Sequence, residues 1–374
     1  MSILAIRNLI HDKVRLVVTL TGIVFALILI VVQFGLFLGF LETSANVVEH
    51  SGVDLWITAT GIPHVNGGSP IPEKRRYKAL SVEGVEAVEP YTLVFANWKL
   101  PSGAQEAVQV VGFDPETRLG GPWSLTTGSV EDLRAEATVI VDEFYLKKLG
   151  VTHLGQTVEI NGRRARVVGF TKDVRSFTTS PYVYTSFKNS LGYALLQEDQ
   201  TIFLAVRARP GADLNAVKEG LRKAVPGVDV FTNPEMRDKT RNYWVFSTGA
   251  GVTTLMGAVL GLLVGTVVVA QTIYAATVDH IREFGTLKAM GATNFYLYRV
   301  IMQQALMSAV LGYAIAITIS HFIVNAASAG EALILMPPWM AIGVFGLSIV
   351  MCVSASILSI RKATSIDPAM VFRG

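Results

Sequence analysis

Six histidines (His11, His50, His64, His153, His280 and His321) and one cysteine, Cys352, are the side chains of widest chemical reach in this chain. Each histidine stands alone in sequence. There is no H-E-x-x-H pair to hold zinc, no G-x-S-x-G turn to expose a nucleophilic serine and no G-x-x-x-x-G-K-[ST] loop to cradle a nucleotide phosphate. A lone cysteine excludes a disulfide framework and a cysteine-based zinc site. The loop from Thr60 to Pro70 is rich in Gly and Pro, but it leads into no helix whose amides could bind an anion. It reads as a flexible external loop. No catalytic or metal-binding constellation results, and the chain is expected to be no enzyme and to hold no cofactor of its own.

What the sequence does specify is where charge is missing. Charged residues are 16% of the 374 and hydrophobic ones 51%, with a mean hydropathy of +0.44; an average soluble protein is about 25% charged. This composition excludes a disordered chain. A net charge of +3 is too small for a nucleic-acid-binding face, so no nucleic acid is expected as a partner. Four stretches contain no Asp, Glu, Lys or Arg: Leu16 to Leu41, Asn242 to Val278, Val300 to Gly330 and Ala332 to Ile360. Each exceeds the roughly 20 residues a helix needs to cross about 30 Å of hydrocarbon. Four transmembrane helices are expected, at 16–41, 249–276, 300–325 and 337–360. The first is much longer than the apolar region of a signal peptide and is expected to remain uncleaved.

The segments 1–15, 277–299 and 361–374 hold nine of the 32 Lys and Arg against four of the 29 Asp and Glu, leaving 23 basic and 25 acidic residues elsewhere. The short loop 326–336 carries only Glu331. The excess of positive charge puts both termini and the loop 277–299 in the cytoplasm, and 42–248 with 326–336 on the other side. Polar groups within the spans (Gln33, Gln271, Gln303, Gln304, Ser320 and His321) lie mostly toward the helix ends. Ion-coupled transporters place ionisable groups at mid-membrane, so energy for any transport has to come from elsewhere.

Residues 42–248 are numerous enough to bury a core of their own. Val53 to Thr58 alternates as a half-buried strand does; a helix over 73–80 and a strand over 92–100 come next. The same order recurs as a strand over 201–207, a helix over 214–225 and a strand over 227–231. Two such units suggest a split βαβ subdomain built from the two ends of the segment. Between them, Pro101-Ser-Gly103 can turn a hairpin into a strand over 106–113. Asn161-Gly162 joins 156–160 to 163–170 with the strongest short hairpin signal known, so 105–195 reads as a β-rich insert. The expected fold is thus a membrane protein of four transmembrane α-helices, with a two-part α+β domain between helices one and two.

Two motifs remain. Gly257, Gly261 and Gly265 lie four apart on one face of the second span, where the absence of side chains lets another helix come close. That helix belongs either to a second copy of the chain or to the third or fourth span. In the loop 277–299, Asp279 to Met290 can form a helix along the membrane with Ile281, Phe284 and Leu287 on one side, stopped by Gly291. It is either a docking element or a solvated connector. Ahead of the first span, Ile3, Leu4, Ile6, Leu9, Ile10 and Val14 can share the apolar face of an interfacial helix within 1–15, in contact with membrane lipid.

The run Arg282-Glu-Phe-Gly-Thr-Leu-Lys-Ala-Met-Gly-Ala292 resembles the "REIGxLRALGA" loop of ABC-transporter permeases of the MacB/FtsX/LolC type. The segments 6–26 and 146–170 resemble their first span and a stretch of their external domain. In the tail, Ala363, Pro368 and Arg373 match the "A-x-x-x-x-P-x-x-x-L-R" pattern, with Phe372 where Leu is usual. The segments "GVDLWI", "RRYKALSVEGVEAVEP" and "FANWK" are most similar to the DevC branch.

The resemblance implies the permease subunit of an ATP-driven exporter in a bacterial inner membrane, its large domain periplasmic. Such permeases work as dimers, and two cytoplasmic ABC ATPase subunits dock on the inner loop. ATP and Mg would be bound by that separate subunit. Arg282, Glu283, Phe284, Gly285, Thr286, Leu287, Lys288, Ala289, Met290, Gly291 and Ala292 would make the ATPase contact. ATP-driven movement of the external domain, or mechanotransmission, would drive efflux through a DevB/HlyD-like membrane-fusion adaptor and a TolC-like outer-membrane channel. The alternatives within the resemblance are an FtsX-like regulator of periplasmic cell-wall hydrolases and a LolC-like lipoprotein-releasing subunit.

Overall fold

A computed structural model describes residues 13–178, 180–279, 281–327 and 333–364. The interfacial helix expected within 1–15 and the tail 361–374 fall largely outside these residues, as does the centre of the loop 326–336. The helices of six residues or more are, in chain order, α1 (Lys13–Ser44), α2 (Arg75–Leu80), α3 (Phe187–Ala194), α4 (Leu214–Ala224), α5 (Asn233–Asn242), α6 (Ala250–Asp279), α7 (Ile281–Ala289), α8 (Asn294–Ala327) and α9 (Pro338–Thr364). The chain divides into two compact units: residues up to 39 with those from 251 on, and residues 40–250.

The first unit is the membrane bundle. Among the described residues four helices are long and apolar enough to span a bilayer, within α1, α6, α8 and α9. Their core joins Ile23 and Leu27 of α1, Val269 of α6, Ile301 and Ala305 of α8, and Met340 and Cys352 of α9. The outward face of α6 presents Met256, Leu260, Leu263 and Val267, as lipid contact requires. Several hydroxyls in the spans bond within their own helix: Thr266 donates to the Leu262 carbonyl at 2.7 Å, Thr272 to Val268 at 2.7 Å and Thr318 to Ala314 at 2.8 Å. In hydrocarbon such back-bonding is the cheapest way to accommodate a hydroxyl.

The second unit is one mixed sheet with helices on it. Its main strands are β1 (Leu55–Thr58), β2 (Ile71–Pro72), β3 (Val85–Lys99), β4 (Gln105–Phe113), β5 (Leu125–Thr127), β6 (Thr138–Asp142), β7 (Thr157–Ile160), β8 (Arg163–Thr171), β9 (Tyr182–Ser186), β10 (Gln200–Thr201), β11 (Phe203–Ala208) and β12 (Asp229–Thr232). They run in the order β12-β1-β11-β3-β4-β9-β6-β8-β5, with β7 against β3 and β8 and a separate β10-β2 pair. β1, α2 and β3 form one strand–helix–strand unit and β11, α4 and β12 the other. Each inserts a strand between the two strands of its partner, because β11 pairs with both β1 and β3, and β1 with both β11 and β12. The helices cover one face, burying Leu55, Ile57, Ala79, Val206, Val217 and Leu221 together. This is the split subdomain expected from the two ends of the segment.

β4 to β9 form the insert. Here β4–β9 and β6–β8 are parallel and β3–β4 and β6–β9 antiparallel. The β7–β8 hairpin turns at Asn161 (φ 47°) and Gly162 (φ 77°), the left-handed pair that a type I′ turn requires. One expectation needs correction. The strand expected over 92–100 begins at Val85 and runs unbroken for 15 residues. Its first half pairs with β11 and its second half with β4. Pro90, which cannot donate to a ladder, sits where β3 has a neighbour on one side only, so it breaks no bond.

Candidate functional site

The inner loop folds as α7, and its C-terminus explains its sequence. Gly291 adopts φ 94°. Its N–H donates to the Lys288 carbonyl at 2.9 Å, and the Ala292 N–H donates to Leu287 at 2.9 Å. These are the paired bonds of a Schellman cap, which satisfy carbonyls the helix end would otherwise leave open. The helix starts at Ile281; of the side chains of Ile281, Arg282 and Phe284 nothing is described. Gly285 is buried and Leu287 packs on the bundle core, while Glu283, Thr286 and Ala289 face outward and Lys288 and Ala292 are half-buried. Met290 is 72% exposed and Phe295, at the start of α8, is 74% exposed. The element therefore fixes one face to the bundle and leaves two large apolar side chains uncovered around a glycine turn.

Within the chain, the nearest neighbours of Gly257, Gly261 and Gly265 lie on α1, which fills the groove they open. A Cβ on Gly257 would lie 2.8 Å from Gln33 Cδ and one on Gly261 3.0 Å from Leu29 Cδ2. One on Gly265 would collide with Ala26, with the Met351 sulfur of α9 at 3.1 Å. Of the chain's own spans expected to meet these glycines, α9 approaches Gly265 through Met351, and the other nearest contacts come from the first span. Gly22 of α1 answers from the other side, since a Cβ there would come 2.5 Å from Val268.

Sequence reasoning missed a third place, within the second unit, where residues 40–49 and 233–247 lie side by side. Arg241 donates through Nε to the Leu41 carbonyl at 3.1 Å and pairs through Nη2 with Glu49 at 2.9 Å. Residues 243–247 continue α5 as a π-turn. The loop expected to be flexible, 60–70, is packed against this turn. Ile62 and Val65 enter the core, and the His64 ring lies 4.2 Å from that of Tyr243 and 4.9 Å from that of Trp244. Burial pushes the His64 pKa below its usual value, against a smaller opposing contribution from Asn66. The only available signal was the aromatic run Tyr243-Trp244, which reads equally well as an interfacial anchor.

Among the described residues no three metal-capable side chains converge. Residues 16–224 match the model of the MacB-like periplasmic core domain, and residues 239–368 that of the FtsX-like permease C-terminal region. The chain belongs to the MacB/FtsX family of ABC-transporter permeases. It is similar to an uncharacterized ABC transporter permease of Mycobacterium tuberculosis, 25% identical over 380 residues that cover 99% of both chains. The macrolide export ATP-binding/permease protein MacB of Escherichia coli is 22% identical over 254 residues, 64% of this chain and 39% of that one. Among solved structures, the periplasmic region of MacB from Actinobacillus actinomycetemcomitans overlays on 53% of this chain and 98% of its own, at a TM-score of 0.40 and 15% identity. The permease is a membrane protein whose α+β domain, of periplasmic type, lies between its first and second spans.

Proposed function

We propose that this permease is the membrane subunit of an ATP-driven exporter that works by mechanotransmission. A separate cytoplasmic ABC ATPase dimer docks on α7 and its flanks, Arg282 to Ala292, and its closure is delivered to the periplasmic domain. Two copies of the chain form the working unit in the bacterial inner membrane, with both termini inside. A DevB/HlyD-like adaptor and a TolC-like channel carry cargo onward from the periplasm.

The observation that carries this reading is the inner loop itself. A capped helix anchored through Gly285 and Leu287 leaves Met290 and Phe295 uncovered, which is the form of a contact awaiting a partner. A basic amphipathic element between two spans also sits on the side that the charge distribution assigns to the cytoplasm. The test is co-purification of the ATPase with full-length permease in lipid nanodiscs, comparing the native chain with Met290→Asp and Phe295→Asp. Loss of the ATPase from both variants, with the thermal midpoint unchanged, is expected. Retention of the ATPase in both would overturn the docking site. Capture of a cell-wall hydrolase or of acylated proteins by the periplasmic domain, in place of an adaptor, would replace export by regulation or lipoprotein release.

A further inference from the structure

Within the second unit, β3, β4, β9, β6, β8 and β7 pair in turn, and β7 returns to β3, so these strands close into a small barrel. Its interior is filled by Ala96, Trp98, Val108, Val139, Val158 and Val167. The closing seam is short: β3 meets β7 only at Trp98–Ile160 and Lys99–Glu159. Continued by two residues, the register would set Pro101 opposite Thr157. Pro101 has no N–H to give to a ladder. The chain also turns there, as the Leu100 N–H donates to the Ala104 carbonyl at 2.8 Å.

The early end of the seam therefore opens into a cleft of about 370 Å³. Leu100 and Pro101 line one side and Gln156, Thr157 and Val158 the other, and buried Leu149 and Val158 give it apolar walls. Thr157 leaves its main chain exposed to this cleft. Gln156 faces β8, because its carbonyl accepts from the Val167 N–H at 3.0 Å. Asn161 faces β3, because its N–H donates to the Asn97 carbonyl at 2.9 Å. The sides alternate along an antiparallel strand, so Thr157 turns both its N–H and its C=O toward β3, where the ladder has ended. An open edge of this kind is a template for another strand.

Charge says what kind of strand. Glu159 is in register with Lys99 on one side and with Arg164 on the other. Of the charged residues that line the cleft, Lys99 and Arg164 are cations and Glu159 is the one acid. Lys99 already holds Glu159 at 3.2 Å. Arg164 is exposed, and among the described residues its guanidinium has no ion pair.

We propose that this cleft takes one extended, acidic segment of a partner polypeptide, added as a short strand on the main chain of Thr157 with a carboxylate on Arg164. Main-chain bonds to a sheet edge supply affinity and the side-chain contacts supply selectivity. Export and ATPase docking are not needed for this contact, so failure of either leaves it standing.

The test is fluorescence anisotropy with full-length permease in nanodiscs of neutral lipid. The probe is a fluorescein-labelled octapeptide of alternating Thr and Glu. Arg164→Glu is expected to weaken binding about tenfold with the thermal midpoint unchanged. Lys223→Glu, an exposed charge reversal on α4, should stay within about twofold of native. The same peptide N-methylated at alternate residues should bind the native chain about tenfold more weakly, because its main-chain donors are gone. Equal binding by the native chain and Arg164→Glu would overturn the proposal, as would equal binding of the parent and N-methylated peptides. Displacement of the probe by millimolar glutarate would assign the cleft to a small anion instead, and overturn the added strand.

Discussion

Gly265 faces Ala26 so closely that a methyl group on the glycine would occupy the space of the alanine Cβ. The first span is thereby seated in a groove of the second, with Gly257 and Gly261 extending the groove by two turns. Replacement of Gly265 by Leu should force the helices apart and cost about 1–3 kcal/mol, the usual penalty of overpacking. Methyl groups added at Gly343 and Gly346 of α9 would meet nothing within 4 Å. Gly343→Ala and Gly346→Ala should therefore leave the thermal midpoint of the nanodisc-embedded permease unchanged while Gly265→Leu lowers it. Equal midpoints for all three would dismiss the groove as a stabilising contact.

The cap of α7 makes a narrower prediction. Gly291 at φ 94° cannot take a β-branched side chain without strain, so Gly291→Val should cost about 1–2 kcal/mol locally. Its effect should appear as lost stimulation of the partner ATPase by the permease, by about tenfold, before it appears as lost stability. An undiminished stimulation would mean that the cap geometry is irrelevant to coupling.

A pH dependence arises from Glu89 on β3. Burial first, and then the nearby Asp114 carboxyl, push its pKa up to about 7, against Arg76 and Arg207, which lower it. An acid whose folded pKa exceeds its unfolded value binds the proton more tightly when folded. Its stabilising contribution is therefore full at acid pH and is lost as pH rises from about 4.5 to 7. Because the site is only half-buried, the loss is discounted to about 1–2 kcal/mol. Glu89→Gln should flatten the fall in thermal midpoint between pH 5 and 8 and leave the variant more stable than the native chain at pH 8. A parallel pair of pH profiles would rule this out.

The Arg241–Glu49 pair predicts a measurable coupling. Both side chains are about a quarter exposed, and the arginine also holds the Leu41 carbonyl. A double-mutant cycle with Glu49→Gln and Arg241→Gln should return about 1 kcal/mol. A coupling near zero would reduce the pair to a surface contact.

Much of this architecture is legible in the residues alone. Four uncharged stretches mark the spans. The likeness of Leu80–Pro90 to Leu221–Phe231 marks two helices, ending at Leu80 and Ala224, each followed within four residues by a left-handed glycine, Gly84 and Gly227, before a strand. What stays hidden is non-local. Thr138 to Asp142 is buried throughout, so it has no alternation to give it away, and its parallel pairing with β8 depends on partners 28 residues along. The start of β3 is hard to place because Glu86 and Glu89 look like a polar lead-in, when they lie on a strand paired on one side. His64 looks like a loop residue because nothing local announces that Tyr243 and Trp244 come to meet it.

The unbroken β3 has one further consequence. At about 3.3 Å per residue it runs roughly 50 Å through both halves of the domain. A tug along its length loads the ladders to β11 and β4 in shear, where all their bonds resist at once, instead of peeling them one by one. Strain applied to the half made of β1, β11 and β12 thus reaches the insert with no slack to take up.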